Sequence, residues 1–421
     1  MRSGVGLDHP VAAWIAAPSD LGSCTPHTSG MAPGCDRVDN GSMPTELTLE
    51  RVRRDVEVIA RGGLDTSSFV EELEATIQRA VPHVATCIAT LDPASRLLTS
   101  TFKFGDLSGD DAQDHQWGLM EFGGADPTSF IDLIDDGLVA CSMWDVTDGD
   151  VSRSPRMAEF LRPTYGYADE LRMVARHSTG SWGGIALFRG PDDRPFSAEE
   201  VAFVGSLSAD FATGLRSGLL ARLARPDGGE PEPMRGPAVV IVDRHDRPSQ
   251  VSMGADAVLR ELTAETHMSN SSGVIAALVA TARRYAAGTV DTLPMARARL
   301  PSGRWLVLHA APLAAVDGPS GEVVITIEEA RPPEIVPLVV AAFELTPRER
   351  DVTQLVLQGV ETKDIAAALH MSRYTVQDHL KSVFDKARVR SRRELIARIY
   401  FDQYVPRMGA ELAPSGGFLS P

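Results

Sequence analysis

Apolar residues recur along this chain with two periods, and the switches between them mark its elements. Leu47 to Ile59 and Phe69 to Ala80 carry the helical period. Val84 to Leu91 and Leu97 to Phe102 are apolar, β-branched runs joined by Asp92-Pro93, which predicts a hairpin. After an irregular middle stretch, Asp169 to Ala175 and Ser181 to Arg189 predict a second strand pair. Phe196-Ser197-Ala198-Glu199-Glu200 then starts a long helix, with Ser197 as cap and Glu200 closing a capping box. That helix repeats Phe203, Leu207, Phe211, Leu215, Leu219 and Leu223 at every fourth position. Four residues turn a helix by about 400°, so the stripe drifts by about 40° per step and its later half is expected to meet another chain.

Arg225 to Pro237, rich in Pro, Gly and charge, reads as a linker. Val239 to Asp243, helices around Ala257 to Leu262 and Val274 to Ala287, and strands at Met295 to Leu300, Trp305 to Ala311 and Glu322 to Ile327 give a second unit of order β, α, α, β, β, β. Arg331-Pro332-Pro333 and Pro337 are expected to separate it from the C-terminal stretch as a stiff connector.

From Phe343 to about Val405 four short helices are predicted. Thr346 caps the first, with Pro347 at its first position and Glu349 closing a capping box, and Gly359 ends it. Thr362 is expected to cap the second. His370-Met371-Ser372 turns the chain, and Ser372 caps a helix from Arg373 to about Ala387. Its spacing buries Val376, Leu380, Val383 and Ala387, with Tyr374, Asp378, Lys381 and Asp385 opposite and Gln377 at their flank. Ser391-Arg392-Arg393-Glu394, another capping box, opens the last helix. Two short helices joined by a tight turn, the second polar outside, fit a DNA major groove.

At Leu345-Thr346-Pro347-Arg348-Glu349-Arg350, Lys363-Asp364-Ile365-Ala366, Met371 to Val376, His379, Lys386, Val389 and Ser391-Arg392 the chain resembles the LuxR-type helix-turn-helix of bacterial transcription regulators. The resemblance implies base contacts from Gln377, Asp378 and Lys381. It implies backbone contacts around them, for which Lys363, Ser372, Arg373, Tyr374, Thr375, His379, Arg390, Ser391, Arg392 and Arg393 are the candidates. Where the family commonly has a basic residue after Thr-Val, this chain has Gln377. Its Ala387-Arg388 replaces the usual Leu-Gly, so the recognition helix is expected to run on slightly before turning. Asp378 has a competing role, pairing with Lys381 or Arg373. A sigma-factor-like helix-turn-helix would bring further helices that are not evident.

The order of elements before Leu223, with its Trp-Gly strand, Phe-Ser-x-x-Glu helix start and Asp-Glu-Leu-Arg segment, resembles a GAF-like sensory domain of actinobacterial LuxR-type regulators. The second unit resembles a PAS-like domain. The fold class expected is therefore multidomain: α+β GAF-like and PAS-like sensory domains followed by an all-α, four-helix LuxR-type domain. The expected boundaries are a disordered segment 1–44, a GAF-like domain 45–224, a linker 225–237, a PAS-like domain 238–329, a linker 330–342, the DNA-binding domain 343–405 and a tail 406–421. Residues 1–44 are rich in Gly, Ser and Pro and lack periodicity, and Met43 offers an alternative start. A GAF-like cup would take a small molecule, with Trp117, Phe122, Phe130, Met143, Trp144, Tyr165 and Tyr167 as lining candidates, although aromatics in an apolar domain are more often core.

Charge changes the picture in one respect. The chain carries a net −16, yet residues 343 to 405 hold eleven Lys and Arg against nine Asp and Glu, and three of the four lysines lie there. Nucleic acid is thus expected to meet only that end. The four cysteines, Cys24, Cys35, Cys87 and Cys141, form no C-x-x-C pair, and no apolar run is long enough to span a bilayer, which suits a reducing cytoplasm. The chain has no phosphate loop, and Gly180-Ser181-Trp182-Gly183-Gly184 is not a nucleophile elbow. Asp132, Asp135 and Asp136 do not follow an apolar strand as a receiver's acids would. Asp145, Asp148 and Asp150 lack the fixed Gly and Glu of a calcium loop, and His83, His115 and His177 lack metal spacing. No enzyme, cofactor or metal is expected. The partners expected are double-stranded DNA, a second copy of the chain, a small-molecule effector and RNA polymerase, with no membrane. The competing expectation is a ligand-independent DNA-binding factor whose N-terminal domains are protein-interaction platforms.

Overall fold

The computed structural model describes residues 45–124, 126–178, 180–223, 234, 236–262, 272–300, 304–315 and 318–401. The segment 1–44, the tail 406–421 and most of the linker 225–237 lie outside them. The first unit contains α1 (Glu46–Arg61), α2 (Thr66–Ile77), β1 (Ala85–Leu91), β2 (Leu98–Gly105), α3 (Asp114–Phe122), α4 (Phe130–Asp135), β3 (Ala140–Ser142), α5 (Met143–Val146), α6 (Arg162–Tyr165), β4 (Asp169–His177), β5 (Gly180–Arg189), α7 (Ala198–Ser206) and α8 (Ser208–Leu223). Its strands form an antiparallel sheet in the order β2-β1-β5-β4-β3. The second unit contains β6 (Ala238–Val242), β7 (Pro248–Val251), α9 (Ala255–Leu262), α10 (Ser272–Ala286), β8 (Met295–Arg299), β9 (Trp305–Ala315) and β10 (Gly318–Glu329). Its sheet, β7-β6-β10-β9-β8, repeats the first order strand for strand. The unpredicted β7 is a short, half-exposed edge strand with no apolar alternation to announce it.

Strands β4 and β5 are buried on both faces for most of their length, so β5 reads as a nearly continuous apolar run, whereas β4 carries Asp169, Glu170 and Arg172 at buried positions. One face of the sheet is covered by α1, α2 and α8, through Val52, Val56, Phe69, Leu73, Phe211 and Leu215. The other face is closed by α3, α4 and, from the second unit, α10. Val274 to Val279 on α10 are all fully buried, as expected of a helix that is apolar all round and lies between two layers. Each such Val, Ile or Leu contributes about 1.5–3 kcal/mol before conformational entropy is subtracted. The approach of α10 to α3 requires Gly118, where a Cβ would stand 2.7 Å from Cβ of Ala276 and 3.0 Å from the Gly273 carbonyl oxygen. A buried ion pair, Arg297 with Asp92, joins the same two units.

Two expectations are corrected here. The helix starting at Ser197 has its capping box, but it breaks at Leu207, and Phe203, Leu207, Phe211 and Leu215 are all buried in the chain's own core. The break resets the drift of the stripe, and α8 then packs on α1, α2, β4, β5 and the next helix in the chain, which buries the stripe through Leu215 and leaves Leu219 half-buried. That next helix is the second correction. The expected connector 330–342 forms α11 (Pro332–Ala342), because prolines in a helix's first turn lose no hydrogen bond and Glu334 accepts the Arg331 N–H at 2.6 Å. Ile335, Leu338, Val339 and Ala342, spaced three and four apart, bury one face of it.

The helical unit comprises α12 (Pro347–Leu357), α13 (Thr362–Ala368), α14 (Arg373–Ala387) and α15 (Arg392–Ile396), which runs on as a π-helical turn over Ala397–Phe401. Val352, Val356, Ile365, Val376, Leu380, Val383, Ala387 and Leu395 form its core, continuous with α11.

Candidate functional site

The start of α12 positions α14. Thr346 accepts the Glu349 N–H at 3.3 Å, and the Glu349 carboxylate accepts the Thr346 N–H at 2.7 Å, which closes the expected box. The same carboxylate receives Ser382 Oγ and Lys386 Nζ from α14, each at 2.6 Å. Burial opposes its charge, but the bonds from Lys386, Ser382 and the Thr346 N–H prevail and hold its pKa down to about 2. A carboxylate depressed in this way supplies stability that is complete above its ordinary value of 4.5 and is lost as pH falls from there toward 2. Acid unfolding of the helical unit followed by circular dichroism is therefore expected to have a limb in that window, flattened in Glu349→Gln. An unchanged acid limb in that variant would contradict this role.

The turn between α13 and α14 is tight: His370 is left-handed (φ 54°), and Met371 N–H donates to the Ala366 carbonyl at 2.9 Å. Ser372 caps α14, accepting the Thr375 N–H at 3.1 Å. Three local expectations are revised. Glu361, not Thr362, is the cap of α13, since helical bonding already begins at the Glu361 carbonyl. The recognition helix does not run on, because Arg388 takes a left-handed conformation (φ 53°) and its N–H returns to the Asp385 and Phe384 carbonyls. At α15, Ser391 caps as expected, but Glu394 accepts the N–H of Arg390 rather than that of Ser391.

On the outer face of α14, Gln377, Asp378 and Lys381 are exposed, and among the described residues none of their side chains forms a hydrogen bond or an ion pair. The pairing of Asp378 with Lys381 or Arg373 is therefore not made in the free protein. Tyr374 is 80% exposed at the start of the same helix, beside exposed Arg373 and Thr375. Lys363, Ser372, Arg390 and Arg393 are exposed, and His379 and Ser391 are half-buried. Arg392 is engaged internally, its guanidinium donating to the Val360 carbonyl.

A second candidate lies in the first unit, where its sheet, α3, α4 and α10 enclose a cavity of about 50 Å³. Of the seven aromatic and Met candidates, Trp117, Phe122 and Phe130 line it. Met143 and Tyr167 are buried instead in a neighbouring cluster with Phe160 and Phe188, where Tyr167 stacks on Phe188 at 4.7 Å. Tyr165 packs at the rim of that cluster, and Trp144 is 41% exposed. These four are placed by packing of the irregular segment beside the cup, so the structure does not bring them to the cavity.

The sequence reading missed the cavity's charges. Lys103 pairs with Asp114, and Arg172 lies 3.9 Å over the Phe130 ring while its guanidinium bonds Glu121 at 2.7 and 2.8 Å and Glu170 at 3.0 Å. Behind them Arg156, fully buried, bonds Glu121 at 2.8 Å and lies 3.2 Å from Glu170 and 3.4 Å from Asp126. Burial works against the charge of Asp126, but Arg156, Ser154 and Thr128 hold it at about 2. Burial pushes the Cys87 thiol up to about 12, so it is protonated. The available signal was Glu170 and Arg172 two apart in a predicted strand, which puts opposite charges on one face of a sheet.

The first unit also touches the helical one directly. Glu344, left-handed at φ 56° between α11 and α12, pairs with Arg216 of α8 and, at 2.9 Å, with His177. Burial and Arg216 keep His177 below its ordinary pKa despite Glu344.

A capped recognition helix with an unpaired polar face, held on a three-helix support, defines a helix-turn-helix DNA-binding unit. Residues 344–399 match the model of the bacterial regulatory proteins, luxR family. The spore germination protein GerE of Bacillus subtilis is 36% identical over 55 residues, which are 13% of this chain and 74% of GerE. A putative HTH-type transcriptional regulator of Aeromonas salmonicida is 48% identical over 56 residues, 13% of this chain and 29% of that protein. The chain thus belongs to the luxR family of bacterial regulatory proteins, through its C-terminal unit. It spans less than a third of the Aeromonas relative's length, and the likeness leaves both α/β units untouched. The solved Vibrio cholerae VqmA dimer aligns with 41% of this chain and 84% of its own at 15% identity, but at a TM-score of 0.16 the alignment carries no argument.

Proposed function

We propose that this chain is a sequence-specific, DNA-binding transcriptional regulator in which a GAF-like and a PAS-like unit control the helix-turn-helix in response to a small molecule held by the first unit. The observation that carries the reading is the exposed, unpaired row Gln377, Asp378 and Lys381 on the capped helix of a luxR-family domain. Support for control by the α/β units comes from the contacts of Glu344 with Arg216 and His177, which tie the first unit to the start of α12. The cytoplasm is the setting this implies, with RNA polymerase as a further partner. Lys363, Arg373, Arg390 and Arg393 are assigned to phosphates. Replacing any one by Ala is expected to weaken binding to all sequences alike and to flatten the slope of log K against log salt by ~1. Fluorescence anisotropy over a salt series checks this, and a loss confined to one base position would contradict it.

One recognition helix covers only a few base pairs, and specific affinities of ~10⁻⁸ M or better usually need two half-sites about a helical turn apart. The regulator is therefore proposed to bind as a homodimer. Phe203, Leu207, Phe211 and Leu215 are consumed by the chain's own core, so the interface would use other residues. Sedimentation of the operator complex is expected to show two chains, and a single chain at saturation would contradict the proposal.

A further inference from the structure

The edge strand β2 of the first sheet lies beside the edge strand β8 of the second, and next to this meeting a second cavity of about 80 Å³ opens. Both α/β units and α11 wall it. Trp182 and Leu219 come from the first, Arg299 and Trp305 from the second, and Leu338 from α11. Arg299 and Trp305 face each other across the β8–β9 ladder.

The lining is amphipathic in a definite way. Leu91, Phe102, Leu215, Leu219 and Leu338 supply apolar surface. The hydroxyls of Thr90 and Thr99 are bonded to each other at 2.6 Å and need nothing more. Trp305 is only 9% exposed, and its indole N–H is buried with no hydrogen-bond partner. A buried donor left unbonded is costly, so it marks a place where an acceptor belongs. Ser100 adds a half-buried hydroxyl, Arg299 brings a positive charge, and no lining residue is acidic.

We propose that this junction is a binding site for a small monocarboxylic acid. The carboxylate accepts from the Trp305 indole beside Arg299, and the short alkyl part lies against Leu215, Leu219 and Leu338. An apolar cavity of about 150 Å³ takes benzene, so a space roughly half that size suits an acid of about three to five heavy atoms. Occupancy would bear on Leu338, and through α11 on the first turn of the DNA-binding unit.

Binding here requires neither DNA nor a molecule in the other cavity, so the site is tested on the full chain alone. Sodium propionate and its neutral isostere propionamide are titrated by calorimetry and by ligand-observed NMR. Saturable propionate binding is expected, with propionamide at least ~10-fold weaker, since a bond to a charged acceptor is the stronger one. Trp305→Phe is expected to weaken propionate about 10-fold, and Leu219→Phe, which fills the space, to abolish binding. Should one variant fail to fold by circular dichroism, the other decides. Absence of saturable propionate binding, equal affinity for propionamide, or binding unchanged in the folded variants would overturn the proposal, the last by placing the acid elsewhere.

Discussion

Replacing Arg156 by Met is expected to lower the stability of the first unit by about 3–5 kcal/mol, because it removes the cation from a buried set of acids and leaves them unpaired. Arg156 has no exposed side chain, and Glu121, Asp126 and Glu170 around it are each at least nine-tenths buried. In the variant, Arg172 is the one cation left facing Glu121 and Glu170, and Asp126 keeps the bonds from Ser154, Thr128 and the backbone N–H of residue 156 but loses the guanidinium. Methionine matches much of the volume, so the loss reports charge rather than a cavity. Urea unfolding followed by tryptophan fluorescence measures it. The pH dependence supplies the sign. With Arg156 present, Asp126 sits at about 2, so its contribution is intact above its ordinary value of 3.8. Without Arg156 burial pushes Asp126 up instead, and the variant is expected to regain stability relative to wild type as pH falls and that carboxylate protonates. A loss under about 1 kcal/mol at neutral pH would mean that water reaches these carboxylates and that the network is not closed.

The same residues show where sequence reading stops. Arg172 and Glu121 are 51 positions apart, and nothing local in either stretch announces the other. What was readable was short-range: the capping boxes at Ser197 with Glu200 and Thr346 with Glu349, the cap at Ser372, and the buried stripe of α14 are all set by residues within a few positions of one another. The errors came where tertiary context overrode a local rule. Prolines 332 and 333 read as a connector, yet they open α11, because the apolar face behind them has a core to join. The four-residue stripe read as one drifting helix, yet a break at Leu207 folds it back onto its own sheet. Likewise Trp144, one of several aromatics in an irregular stretch, is exposed while Phe130 lines the cup, a difference set by which residues α3 and α4 bring over the sheet.

The central claim is that α14 reads base edges, and Asp378 tests it most sharply. Gln377 can pair bidentately with adenine and Lys381 can donate to guanine, whereas a carboxylate can only accept, so Asp378 is matched to the amino group of cytosine. An acid also repels phosphates, so in the proposed role Asp378 would cost general affinity while adding discrimination. Because Asp378 has no partner in the free protein, its replacement frees no cation and disturbs no cap. The measurement is a randomised-site selection run in parallel on wild type and Asp378→Ala at one salt concentration. The account predicts tighter non-specific binding by the variant, with preference relaxed at a single position by ~1–3 kcal/mol. An unchanged base-preference profile in the variant would contradict it.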